Sequence, residues 1–202
     1  MTQLLDYRQF YINGKWVNPA KANDLEVIDP STEQAVAVIS IGDKADTDAA
    51  VAAAKAAFPA WAATAPAERL AYVEKILDIY KRRAKDMARA ISLEMGAPQD
   101  MSLDDQVDCG VYHIENFITA FKDFKFVRPL SADTPDTMIA WEPVGVVASI
   151  TPWNWPMNQV TLKVIPAILA GDTVILKPSE IAPLSSIVRL VSYRQRGSPA
   201  FP

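Results

Sequence analysis

"VGVVASITPWNWPMNQVTLKVIPAILAGDTVILKPSE" (144–180) decides the architecture. Its first seven residues are a continuous apolar run, which predicts a strand buried on both faces. A helix is predicted from about Pro156, since proline suits a first helical turn, and Gly171-Asp172 ends it. "TVIL" (173–176) is a second apolar strand, and "APLSSIVRLV" (182–191) starts another helix. Strand, helix, strand, helix with both strands apolar is the pattern of a doubly wound parallel α/β sheet. Ligands of such sheets sit beyond the carboxyl ends of the strands. That places the chemistry at residues 150–155 and 177–180.

The first of these loops is built from Trp153, Asn154, Trp155 and flanking prolines rather than from ordinary turn residues. Asn154 offers two N–H donors. Braced by its ring neighbours, it can aim one at an oxygen gaining negative charge; alternatively it caps the helix. The tryptophans fit equally well as core residues whose indole N–H finds a carbonyl. The fingerprint G-x-G-x-x-G is absent, because the glycines at 14, 42, 96, 110, 145, 171 and 197 never fall two apart. A standard Rossmann phosphate loop is thereby excluded. Lys163 is the only charge between Pro143 and Gly171, so it either snorkels to water or meets a distant carboxylate. Lys177 and Glu180 at the second strand's end either bracket a polyol such as a ribose or mark the exit into solvent.

Working outward, "FYINGKWV" (10–17) reads as a hairpin about Asn13-Gly14, and "LEVIDP" and "AVAVISI" as strands joined at Pro30-Ser31. Asp46 and Thr47 are candidate N-caps for the Ala-rich helix "DAAVAAAKAAFPAWA", which Pro59 is expected to cut short. From Pro66, the positions Leu70, Val73, Leu77, Tyr80, Ala84, Met87 and Ile91 predict one long helix closed by Gly96. Ser102 with Asp105 reads as a capping box opening a further helix. "FKFVRPL" and "TMIAWEP" predict a strand pair joined by a polar loop.

A net charge of −4 without a basic run argues against nucleic acid, and no window approaches the roughly 18 apolar residues of a membrane span. The single cysteine, Cys109, excludes an internal disulfide, and the amino terminus lacks the apolar core of a signal peptide, which points to the cytoplasm. Cys109 and His113, four apart on a helix, invite a nucleophile reading and a hydrolase, but they fall away from the apolar stripe and nothing nearby supplies an orienting acid or oxyanion donors. Two such ligands are too few for zinc, and no metal is expected.

Residues 142–186 taken together closely resemble the aldehyde dehydrogenase superfamily: "P-W-N-x-P" is followed at a fixed interval by "A-G-D-T-V-I-L-K-P-S-E". The segments "YINGKWV", "VIDPSTEQAVAVI" and "RLAYVEKILDIYKRRAKDMARAISLEMGAP" agree, so the likeness runs from about Phe10 to Val188. The resemblance implies oxidation of a small-molecule aldehyde to a carboxylic acid by a nicotinamide cofactor. Asn154 matches the oxyanion-stabilising amide and Lys163 a lysine of a charge relay. The backbone from Ile150 through Thr151 and Pro152 to Trp153 lines the cofactor crevice, beside Lys177, Pro178, Ser179 and Glu180. Lys177 and Glu180 match the residues on the ribose hydroxyls, and Glu180 would repel a 2′-phosphate, favouring NAD over NADP.

The implied fold is an incomplete Rossmann-like NAD-binding domain, with parallel strands flanked by helices plus a β-hairpin oligomerisation arm serving a homo-oligomer. Its expected parts are 1–124, the arm 125–143, the first βαβα at 144–192 and an atypical tail at 193–202. The family's nucleophilic cysteine and general-base glutamate match nothing in the chain, so the catalytic domain is expected to be absent and the chain catalytically incomplete. The alternative is a non-catalytic fragment acting as a weak nucleotide-binding or oligomer-docking module.

Overall fold

The computed structural model describes residues 4–187. After β1 (Leu5–Tyr7), Asn13 (φ 51°) and Gly14 (φ 72°) adopt the left-handed backbone that a two-residue turn demands. They join β2 (Phe10–Ile12) to β3 (Lys15–Val17) as expected. β4 (Asp24–Asp29) and β5 (Gln34–Ser40) pair antiparallel about the Pro30-Ser31 turn, and β1 lies parallel to β5 on its other side.

Four helical expectations are corrected. The Ala-rich helix α1 (Lys44–Ala62) begins before Asp46, because Asp43 is its N-cap. The Asp43 carboxylate accepts the N–H groups of Ala45 (2.7 Å) and Asp46 (3.2 Å), while Asp46 accepts that of Asp43 (3.0 Å), a reciprocal capping box. Pro59 does not end this helix. It removes one backbone bond near the carboxyl end, and buried Trp61 clamps the last turn by donating its indole N–H to the Ile168 carbonyl (3.3 Å).

The long helix predicted from Pro66 is two, α2 (Pro66–Arg82) and α3 (Ala84–Met95), broken at Arg83 (φ −102°, ψ 10°). Val73, Ile76 and Tyr80 of α2 and Met87, Ala88 and Ile91 of α3 enter the main cluster together, while Ala90 of α3 also joins Val27, Ala37 and Ile39 of the β4–β5 sheet. Gly96 (φ 74°) closes α3 as expected. Ser102 caps nothing. It is buried within a continuous helical run, and its N–H already donates to the Pro98 carbonyl (2.8 Å), so no helix begins there. That run comprises α4 (Gln99–Met101), a π-helical segment (Ser102–Val107) and α5 (Asp108–Asp123).

β6 (Val127–Pro129) and β7 (Met138–Ala140) form the predicted antiparallel pair. β8 (Val146–Ile150), α6 (Pro156–Ala170) and β9 (Thr173–Lys177) make a βαβ unit whose strands are parallel, with left-handed Gly171 (φ 102°) ending the helix. Val174 and Leu176 face the main core with α6, while the opposite face of β9 meets α1, where the Thr173 hydroxyl donates to the Ala54 carbonyl (3.0 Å). The expectation that β8 is buried on both faces is not met. Only Ser149 of that strand is fully buried, and Ile150 is 66% exposed. Among the described residues β8 pairs with β9 alone, so its outer edge and apolar side chains lack the cover a central strand has. The helix predicted from 182 is described over residues 184–187; the rest of it and the tail at 193–202 lie outside the described residues.

Candidate functional site at the carboxyl end of the parallel strands

Register brings the two predicted loops together. Ile150 pairs with Lys177 at the ends of β8 and β9, and the Thr151 N–H extends the ladder to the Lys177 carbonyl (3.2 Å). Thr151 is buried, whereas Ile150, Pro152, Trp153 and Asn154 stand exposed. The Asn154 side chain makes no hydrogen bond to any described residue, and α6 has Trp155 as its N-cap position with no side-chain cap. The capping alternative is therefore not realised, and an amide with two free donors faces outward at the strand end.

What holds the loop lies behind it. Trp155 is half-buried, and its side chain hydrogen-bonds the sulfur of Cys109 on α5. Asn158, one turn into α6, receives the Cys109 thiol (3.2 Å) and the His113 Nε2–H (2.7 Å) on its Oδ1. Cys109 and His113 thus bond to one amide oxygen rather than to each other. Burial, then the charge of Asp108, push the thiol pKa up against the Trp155 bond. An activated nucleophile needs the opposite shift, so the hydrolase reading finds no support.

In the second loop Lys177 Nζ meets Glu180 Oε2 at 2.8 Å, and this contact holds the Glu180 carboxyl below its ordinary value. Both side chains stay exposed, presenting donors and acceptors to solvent. Half-buried Pro178 and buried Ser179, whose hydroxyl accepts the Ile181 N–H (3.2 Å), stiffen the turn between them. Lys163 lies apart from both loops. Half-buried, it donates to Gln159 Oε1 (2.8 Å), so neither free snorkelling nor a carboxylate partner describes it.

Sequence reasoning missed three buried charges: Glu94 near the second loop, and Arg69 and Asp172 at the opposite end of the βαβ unit. Glu94 is 1% exposed and accepts the backbone N–H groups of Leu184 and Ser185 (3.2 Å to the latter) where the chain re-enters helix. Burial pushes its carboxyl up to about 7 against those bonds. Arg69 donates to the carbonyls of Leu169 (2.9 Å) and Thr64 (2.6 Å) and lies 5.2 Å over the Phe126 ring. Asp172 accepts the Gly145 N–H (2.9 Å), tying the exit of α6 to the approach of β8. The signal was present: Arg69 falls in step with Val73, Ile76 and Tyr80, and Glu94 with Met87 and Ile91, so each charge sits on an apolar stripe. Among the described residues no group of three or more His, Cys, Asp or Glu is placed to hold a metal ion.

The chain is similar in sequence and in fold to known proteins. The sequence model of the aldehyde dehydrogenase family matches residues 16–200. A 3-succinoylsemialdehyde-pyridine dehydrogenase of a Pseudomonas species is 41% identical over 96% of this chain and 40% of its own length. The crystal structure of an aldehyde dehydrogenase from Bartonella henselae superposes with a TM-score of 0.95 at 54% identity, covering 98% of this chain and 41% of that one. An aldehyde dehydrogenase C mutant from Pseudomonas syringae, crystallised with NAD+ and octanal, gives 0.89 at 41% identity, covering 95% and 39%. The chain spans about 40% of the length of the curated relatives it matches. By sequence and by fold it belongs to the aldehyde dehydrogenase family.

Proposed function

We propose that this chain supplies the NAD-binding face and the oxyanion donor of an enzyme that oxidises an aldehyde to a carboxylic acid. The observation that carries this is the side-by-side exit of two loops from adjacent parallel strands, one bearing the free Asn154 amide and the other the exposed Lys177–Glu180 pair. A nicotinamide cofactor held there would supply the acceptor for the hydride of the aldehyde carbon. The chain's own residues do the rest of the positioning. The backbone from Ile150 to Trp153, with Pro178 and Ser179, borders the crevice. Lys177 donates to ribose hydroxyls and Glu180 accepts from them. That carboxylate disfavours a 2′-phosphate, which selects NAD over NADP. Asn154 donates to the oxygen that gains charge when the aldehyde carbon is attacked. The Gln159-bound ammonium of Lys163 provides positive charge along α6.

A half-buried, hydrogen-bonded Cys109 with a raised pKa is unsuited as the attacking thiolate, and the sequence has no other cysteine. The purified chain accordingly binds NAD+ but forms no NADH from aldehydes. The exposed Val127 and Met138 of the β6–β7 pair, with neighbouring Leu130 and Trp141, suit addition to a second subunit, so residues 125–143 act as an oligomerisation arm. Titration calorimetry tests the nucleotide site. Glu180→Ala should weaken NAD+ about tenfold and narrow the preference over NADP+. The ion pair is exposed and worth at most about 1 kcal/mol, so the melting temperature should barely move. No heat with NAD+ for the unaltered chain would end this reading.

A further inference from the structure

We infer that Glu94, far from the two loops in sequence, is a positioning residue for the nucleotide loop, holding Lys177 and Glu180 in place by capping the helix that follows them. The inference rests on the reading of residues 177–180 as nucleotide-binding. The segment leaving β9 has two fixed ends. At one, Lys177 is bound into the strand ladder and its carbonyl receives the Thr151 N–H. At the other, the N–H groups of Leu184 and Ser185 converge on the Glu94 carboxylate. Between them the Lys177 and Glu180 side chains are exposed and, among the described residues, are held by their own ion pair alone. The backbone between the anchors therefore decides where they point.

Glu94 is not a surface cap of modest value. It is fully buried on α3, one turn beyond Ile91, and its bonds reach across about ninety residues of sequence to the chain's second small core, where Leu184 packs with Val27, Ala37, Ile39 and Ala90. A carboxylate in so dry a place is costly unless it is bonded, and at least two backbone donors supply those bonds. Removing it leaves both N–H groups buried and unpaired. The helix start then loses its register against α3, and the loop before it loses one of its two anchors.

Glu94→Gln keeps the shape but turns an NH2 toward one of the two N–H groups. With NAD+ in titration calorimetry, this variant should bind about tenfold more weakly than the unaltered chain. Ile91→Val, a core substitution on the same helix, should lower the melting temperature comparably and leave the affinity unchanged. If both variants lose affinity in step with melting temperature, or if Glu94→Gln binds normally, Glu94 holds up the fold and nothing more.

A measurement on the unaltered chain covers the case in which the variant does not fold. Coupling between two sites is reciprocal, so saturating NAD+ should slow amide exchange at Leu184 and Ser185 severalfold. Unchanged exchange at those two amides with NAD+ bound overturns the inference. Absence of NAD+ binding in the first place instead removes the reading of residues 177–180, which Glu180→Ala tests separately.

Discussion

Asn154 and Cys109 show how single side chains behave on either side of one tryptophan. The Asn154 side chain makes no hydrogen bond among the described residues, so Asn154→Ala should change unfolding free energy by less than about 0.5 kcal/mol. A helix cap would cost roughly 0.5–2 kcal/mol on removal, and a loss above 1 kcal/mol in chemical denaturation would restore the capping reading. Cys109 sits on the inner side, bonded to Asn158 and Trp155, with burial raising its thiol pKa. The thiolate is the reactive form. Iodoacetamide should therefore alkylate the folded chain at neutral pH about tenfold more slowly than the urea-unfolded chain. One cysteine makes the assay unambiguous, and equal rates would refute the burial argument.

α5 crosses α2 closely at Gly110. A Cβ added to Gly110 would stand 2.1 Å from the Tyr80 hydroxyl, which itself donates to the Val107 carbonyl (3.0 Å). Alanine is ordinarily favoured over glycine inside a helix by about 1 kcal/mol. Here the overlap reverses the sign, and Gly110→Ala should destabilise by roughly 1–3 kcal/mol in urea unfolding. A stabilised variant would mean the helices can part freely. Nothing in the sequence around Gly110 announces this contact, because a missing side chain leaves no periodic signal. The neighbouring elements divide the same way. The Asn13-Gly14 turn, the Gly96 and Gly171 helix ends and the parallel β8–β9 pair were legible, since each rests on local backbone chemistry or apolar runs. The break at Arg83 and the π-helical segment were not: α3 shares the main core with α2 through Met87 and Ile91 but also reaches a second core through Ala90, and spacing along one apolar stripe cannot report that. The site divided likewise: the loops at 150–155 and 177–180 could be read from strand ends, whereas Glu94 is recognisable only as a charge on an apolar stripe until its partners are seen.

Buried Arg69 and Glu94 each bond the backbone at helix ends far away in sequence, and Glu94 makes folding depend on pH. Glu94 titrates near 7 in the folded protein against an ordinary value of 4.5, because burial outweighs the bonds from Leu184 and Ser185. Between those two values the folded chain binds more protons at this site than the unfolded chain. Stability therefore falls as pH rises through that window. The contribution is complete below about 4.5, declines between 4.5 and 7, and is constant above. A shift of this size corresponds to roughly 3 kcal/mol at most. The carboxylates with lowered values, Asp6 at about 2 and Asp29 and Glu180 below their ordinary values, act in the opposite direction, but their transitions lie at or below the ordinary carboxylate range. The interval from pH 5 to 7 thus belongs mainly to Glu94. Urea unfolding across it should show stability declining with pH, and Glu94→Gln, which cannot titrate, should flatten that decline. A decline of equal slope in both proteins would assign the proton uptake elsewhere and place the Glu94 carboxyl in its charged form throughout.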